Sequence, residues 1–338
     1  MPVPGLRPGG SPARTGLSLV TWSWTVPTPS DNDQAIRLAA FNALQALVER
    51  HGEVLPWEII AEGFQLHGEQ HLFANRTRGI FWPRQMQETA LSIKTTVPRG
   101  TRVARYDDDN IASDGAFLYK FQGTDVEARD NRRLVRAQEL DAPLIYLYGI
   151  EPGFYRPLWP VYISDVDRAS HSFHVVVSEP ETVKQLQPQR YVADAKLLPL
   201  ERRYTTVQAK KRLHQAAFRQ HVLNAYEHRC AVCAFPRMEL LDGAHILPDR
   251  DERGHAEVPN GLALCRLHHG AFDTNLMGFR PDGVIELAPS LLATRDGPTL
   301  EHALKGFVGK TLQLPRAKEL RPKKLYLEER YERFRKVS

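Results

Sequence analysis

The sequence predicts an α+β chain in two parts: a β-rich domain with packed helices, then a smaller strand–strand–helix unit stapled by a metal ion. Three observations carry this expectation. Between about 60 and 177 the apolar residues fall in short β-type runs separated by turn clusters. Helical periodicity appears before and after that stretch, at 31–52 and 210–226. All three cysteines of the 338 residues lie between 230 and 265, as Cys230-Ala-Val-Cys233 and Cys265-Arg-Leu-His268.

In chain order, residues 1–15 are rich in Pro, Gly and Arg and predict a mobile tail. The first helix begins at the cap candidates Ser30 and Asp31. It repeats Ile36, Leu38, Ala39, Phe41, Leu44, Leu47 and Val48 at helical spacing and stops at Gly52. The strand candidates are 116–121, 144–148, 161–163 and 173–177, interrupted by one helix at 130–140. Residues 179–199 are polar, contain Pro and lack periodicity, which suits a linker. The division that follows is a tail and helical extension at 1–59, a β-rich domain at 60–178, a linker at 179–204 and a second domain at 205–338.

With 42% hydrophobic residues, the chain can bury two sizeable cores. No stretch reaches the length of a membrane span, and the N-terminus lacks a signal-peptide pattern. Cysteines confined to one cluster suit a reducing compartment, so the expected location is cytoplasmic.

Two pairs of metal-type residues, each separated by two positions, suit the two knuckles of a tetrahedral zinc site, here Cys230, Cys233, Cys265 and His268. A lone C-x-x-C would equally suit a redox pair; the third cysteine with its own histidine, and no cysteine left over, favours zinc. The same window holds His245, Asn260 and His269 in that order. Alone, His245 suits a satisfied histidine at a strand end, and Asn260-Gly261 suits a turn. The local pattern reads as a strand at 238–241 leading to His245, a polar loop at 248–259, a strand at 261–265 and a helix at 267–276. On that helix His269 and Asp273 are four apart and share a face.

The His–Asn–His order inside a zinc clamp, over roughly 225–280, resembles the HNH (ββα-metal) endonuclease family. The resemblance implies a general base at His245, an orienting residue at Asn260, and a ligand of a catalytic Mg or Mn ion at His269. Such chemistry needs a base for water and a cation near the leaving oxygen. Ala244 departs from the commonest form of the motif, leaving Asp242 and Asp273 as candidates for the second metal ligand; Asp273 equally suits a helix-stabilising carboxylate.

Charge is unevenly spread. Residues 315–338 carry nine Lys/Arg against four Glu, and 201–230 carry seven basic against two acidic, while the whole chain is only +5. The two basic runs flank the cysteine window, where they can meet phosphates or simply face solvent.

In the β-rich half, Tyr106-Asp107-Asp108-Asp109 precedes Tyr119-Lys-Phe121-Gln-Gly123 and then Asn131-Arg-Arg-Leu134. This order, over about 75–178, resembles the SRA domain (a PUA-like fold), which binds a modified cytosine rotated out of the duplex. The resemblance implies stacking plates at Tyr106 and Phe121, or Tyr119 in its place, and Asp109 as acceptor of the cytosine amine. A flipped base needs such faces to replace lost stacking. Tyr119 and Phe121 alternate along one strand and equally suit core; Asp107–Asp109 equally suit a turn. The segment from Arg78 through Trp82 to Arg84 suits either a groove-bracing patch or buried strand packing.

Together the halves resemble the SRA-HNH modification-dependent restriction endonucleases. The expectation is a homodimer that binds double-stranded DNA carrying 5-methylcytosine or 5-hydroxymethylcytosine and cuts it. Two other functions stay open, an HNH nuclease for unmodified DNA and a modified-DNA reader with an inert zinc module.

Overall fold

The computed structural model describes residues 30–95, 97, 116–178, 198–248, 251, 253–295 and 297–337, with 198–204 described in backbone alone. The expected tail at 1–15, Tyr106, Asp109 and the linker as far as 197 lie outside the described residues.

Helix α1 (Asp31–His51) starts where the Ser30 hydroxyl accepts from the Asp33 N–H and ends at Gly52, whose φ of 91° favours glycine. Strand β1 (Leu55–Pro56), the short helix α2 (Trp57–Ala61) and the hairpin of β2 (Phe64–Leu66) and β3 (Glu69–His71) follow. The main sheet then takes β4 (Ile80–Phe81), β5 (Ser92–Lys94), β6 (Phe117–Lys120), β7 (Leu144–Glu151), β8 (Phe154–Asp167) and β9 (Ser172–Val177). Their order is β4-β5-β7-β8-β9-β6, with β1 also paired to β8; β5 and β7 are parallel and every other pairing is antiparallel.

Strand β8 is far longer than the expected 161–163. Pro157 and Pro160 break the sequence pattern, because proline cannot donate to a ladder. The sheet accommodates them: the β7–β8 register shifts between Leu144 and Tyr146, opposite Pro160, and β9 pairs only from Val161 onward. Helix α3 (Arg129–Glu139) is tied to the end of β6 by Asn131. Its side chain accepts from the Gln122 N–H and donates to the Gln122 and Asp125 carbonyls.

Helix α4 (Leu198–Ala225) begins inside the stretch read as linker. It serves two cores. Ala209, Leu213 and Ala217 pack with the main sheet, while Phe218, Val222 and Leu223 belong to a second cluster built on the C-terminal half. That half holds β10 (Leu241–His245), β11 (Gly261–Cys265), α5 (Arg266–Asp273), β12 (Met277–Phe279), β13 (Ile285–Leu287), α6 (Pro289–Ala293), α7 (Pro298–Ala303) and α8 (Lys324–Val337). The strand expected at 238–241 is a 3-10 turn, Met238–Leu240, before β10, and the helix expected to reach 276 stops at Asp273. No helix among the described residues is long and apolar enough to cross a membrane.

The β10–β11 hairpin lies unusually close to α4. A Cβ on Gly261 would sit 2.3 Å from Val222 Cγ2 and 2.9 Å from Phe218 Cζ, and one on Gly243 would sit 2.9 Å from Arg219 Cα. Overpacking of this kind costs about 1–3 kcal/mol. Gly261→Ala is therefore expected to lower unfolding free energy by about that amount in denaturant titration. Gly270→Ala, in helix α5 with open space around the new methyl, is expected to be neutral or to stabilise by up to about 1 kcal/mol.

Candidate active site

Two clusters of chemistry-bearing side chains sit on the β10–β11–α5 unit. In the first, the ligand atoms of Cys230, Cys233, Cys265 and His268 all lie within 4.8 Å of one another. The knuckle carrying Cys230 and Cys233 closes with backbone bonds from Ala234 to Cys230 and from Cys230 to Phe235, and it hangs on β11 through Ala231 N–H to Ala263 O at 2.7 Å. Cys265 ends β11 and His268 sits on the first turn of α5, so the second pair is built on the strand–helix junction.

His268 turns Nδ1 toward the sulfurs, 3.1 Å from Cys265 and 3.5 Å from Cys230, while Nε2 donates to the Ala303 carbonyl at 2.7 Å. That outer bond fixes the tautomer a metal ligand needs. Hydrogen bonds from Cys230 and Cys233 push the Cys265 thiol far down, and the same crowding by Cys230 and Cys265 pushes Cys233 up. A thiolate-bearing Cys3His set of this size fits zinc.

The second cluster surrounds His269. Its Nδ1 lies 3.5 Å from Asp242 Oδ2 and its Nε2 lies 3.2 Å from Asp273 Oδ2. Hydrogen bonding to Asp242, with the charge of Asp273 added, raises the His269 pKa against the opposing effect of burial; His269 in turn lowers Asp242. The two carboxylates therefore occupy different nitrogens of one ring. Asp242 is also tied to Arg219 of α4, Oδ1 to Nε at 3.5 Å. Asp273 instead faces a cavity.

That cavity, of about 430 Å³, is bounded by Gly243, His245, Ile246, His269 and Asp273, and by Arg330, Arg333 and Val337 of α8. His245 stands at the end of β10 opposite Gly261, with its ring stacked on Phe218 at 3.8 Å between centroids and 16° between planes. Asn260 is fully buried. Its side chain accepts from the Leu247 N–H at 2.9 Å and donates to the Leu247 and His255 carbonyls, and its backbone carbonyl accepts from Ile246. It thus pins the chain leaving His245.

Sequence reasoning marked the C-terminal run as basic without singling out its members. Arg330 stacks on Phe272 at 4.3 Å and donates to Asn275 and the Phe272 carbonyl, which docks α8 on α5. Arg333 bonds Asp251 and Glu329, and Arg253 shares both acids. Phe218, on which the base candidate stacks, was also missed. The i, i+3 spacing of Arg330 and Arg333 was the available signal for the first two; nothing local marked Phe218.

In the N-terminal half, Tyr119 and Phe121 lie in the core, 5% and 8% exposed. The Tyr119 hydroxyl donates to the Lys94 carbonyl at 3.5 Å and its ring meets Tyr146 edge-on; Phe121 packs on Phe173 at 4.7 Å. Both rings are thus packed among other aromatic side chains. Tyr106 and Asp109 lie outside the described residues.

Residues 230–280 match the family model described as HNH endonuclease, so this segment is an HNH endonuclease domain. No curated protein matches the chain. Among solved structures, a chain titled "Modification dependent TagI restriction endonuclease" is similar at 18% identity, over 73% of this chain and 82% of that chain, with a TM-score of 0.28.

Purified protein is expected to carry one zinc per chain by elemental analysis. Cys265→Ser is expected to lose it and to lower the melting temperature of the C-terminal half, since metal binding here is folding free energy.

Proposed function

We propose that the chain is a modification-dependent restriction endonuclease whose C-terminal half hydrolyses DNA phosphodiesters and whose N-terminal half binds 5-methylcytosine or 5-hydroxymethylcytosine flipped from the duplex. The observation that carries the cutting half is the single cavity walled by His245, His269, Asp273 and two arginines. The reading half rests on the order of the Tyr106–Asp109, Tyr119–Gly123 and Asn131–Leu134 segments.

In this reading His245 takes the proton from the attacking water on an imidazole nitrogen. Phe218 fixes the plane of that ring by stacking, and Asn260 holds the chain that leaves it. His269 Nε2 and Asp273 would hold a divalent ion, magnesium or manganese. Bound there, it would supply positive charge to the phosphate and the leaving oxygen. Asp242 takes the other nitrogen of His269 and keeps the ring in place, as a carboxylate behind a histidine ligand does. Arg330 gives the α8 wall a positive charge for the phosphates beside the cut, whereas Arg333 is already paired with Asp251 and Glu329. One such site cuts one strand, so a double-strand break calls for two copies of the chain.

The burial of Tyr119 and Phe121 leaves the flipped base to Tyr106 and Asp109. It also favours a second reading, an HNH nuclease that acts on unmodified DNA.

His245→Ala and His269→Ala are expected to lower cleavage of methylated plasmid by at least about 100-fold with folding unchanged. A His245→Ala chain that cuts at near wild-type rate would sink the assignment. Unmodified plasmid cut as fast as methylated plasmid would replace the first reading by the second. Because Asp242 raises the His269 pKa and an ion must replace that proton, divalent-ion affinity measured by calorimetry is expected to tighten as pH rises through the raised value and to weaken below it.

A further inference from the structure

Three guanidinium groups converge on one indole in the N-terminal half. The Cζ atoms of Arg133, Arg129 and Arg78 lie 4.7, 5.5 and 5.8 Å from the centroid of the Trp82 ring. They come from two separate places: Arg78 precedes β4, whereas Arg129 and Arg133 are four apart on α3. Trp82 is 8% exposed and fixed in the core, while Arg78 and Arg129 are exposed.

Packing alone accounts poorly for this gathering. Cation–π attraction contributes modestly at exposed sites, and three like charges around one ring repel one another. Compensation is scant. Among the described residues none of the three makes an ion pair with a carboxylate. Asp33 is the one acid that acts on Arg133, and its two oxygens also accept from the N–H groups of Gln87, Glu88 and Thr89. Asp130, next to Arg129, also acts on the Tyr119 phenol. Arg133 Nη1 is buried with no hydrogen-bond acceptor. A fixed aromatic platform and three forked donors, two of them exposed, together describe a site for an anion with several oxygens.

We propose that the Trp82 cluster grips the phosphate backbone of duplex DNA, anchoring the N-terminal half without reading sequence. The proposal rests on the reading of the chain as a DNA-cutting enzyme. Phosphate contacts position a protein on the duplex and are blind to bases and their modification. The cluster therefore adds affinity equally for methylated and unmethylated duplexes.

The test is equilibrium binding of the full chain to a labelled unmodified duplex, by fluorescence anisotropy at several salt concentrations without added divalent cation. The Arg78→Gln/Arg129→Gln double variant is expected to bind about ten-fold more weakly near physiological salt. Its slope of log K against log salt is expected to be shallower by about 2, because each phosphate contact contributes about 0.9. Its melting temperature is expected to match wild type, both residues being exposed. The Arg78→Lys/Arg129→Lys variant is expected to recover most of the slope, since it keeps the charge; a role in stacking on Trp82 would not be recovered. A Gln variant with wild-type affinity and slope overturns the proposal and leaves the nuclease reading standing. So does a Lys variant as weak as the Gln variant. A wild-type chain that binds no duplex overturns both.

Discussion

The close seating of α4 on the β10–β11 hairpin is the contact on which the rest of the C-terminal half depends. Two glycines, Gly243 and Gly261, let the helix come near enough for Phe218 to lie flat on His245. From the same helix Arg219 reaches the carbonyls of Met238 and Leu241 and the carboxylate of Asp242. One helix thereby orients the base candidate through stacking and the His269 ring through Asp242. Its first half is meanwhile committed to the other core, where Lys210 donates to the Ala116 carbonyl and Thr206 accepts from Val177. A shift of α4 is felt in both halves at once.

The two histidines on α5 show how adjacent residues acquire different chemistry. His268 points into a nest of sulfur, with its far nitrogen satisfied by Ala303. His269, about 100° further round the helix, lies between two carboxylates at the mouth of a cavity. The clamp closes the strand–helix junction, and that closure aims the second ring. The sulfur cluster and the cavity thus take consecutive residues of one short helix.

The parts legible in the sequence were those whose signal is local. The cysteine spacing marked the Cys3His cluster, the apolar periodicity marked α1, and the pairing of β10 with β11 lay within one window. What stayed hidden was set by distant partners. The length of β8 was masked by Pro157 and Pro160, which a register shift against β7 absorbs. The start of α4 lay in a stretch without clear periodicity, because its two halves bury against different cores. Tyr119 and Phe121 carried one alternation that suits either a pocket or a core, and their contacts with Tyr146 and Phe173 were not legible in it. Asp242 and Asp273 looked equivalent until their positions on opposite sides of one imidazole distinguished them.

Helix α8 contributes three residues, Arg330, Arg333 and Val337, to a cavity whose other walls are complete by Asn275, some fifty residues earlier in the chain. During synthesis the hairpin, the clamp and both histidines leave the ribosome first, and the arginine wall comes last. Loss of α8 would remove Arg330, Arg333 and Val337 from the wall around His245 and His269. Full assembly waits until α8 has docked through Arg330, Tyr326 and Phe334. Order of emergence thus sets when the cavity beside His245 and His269 gains its last wall.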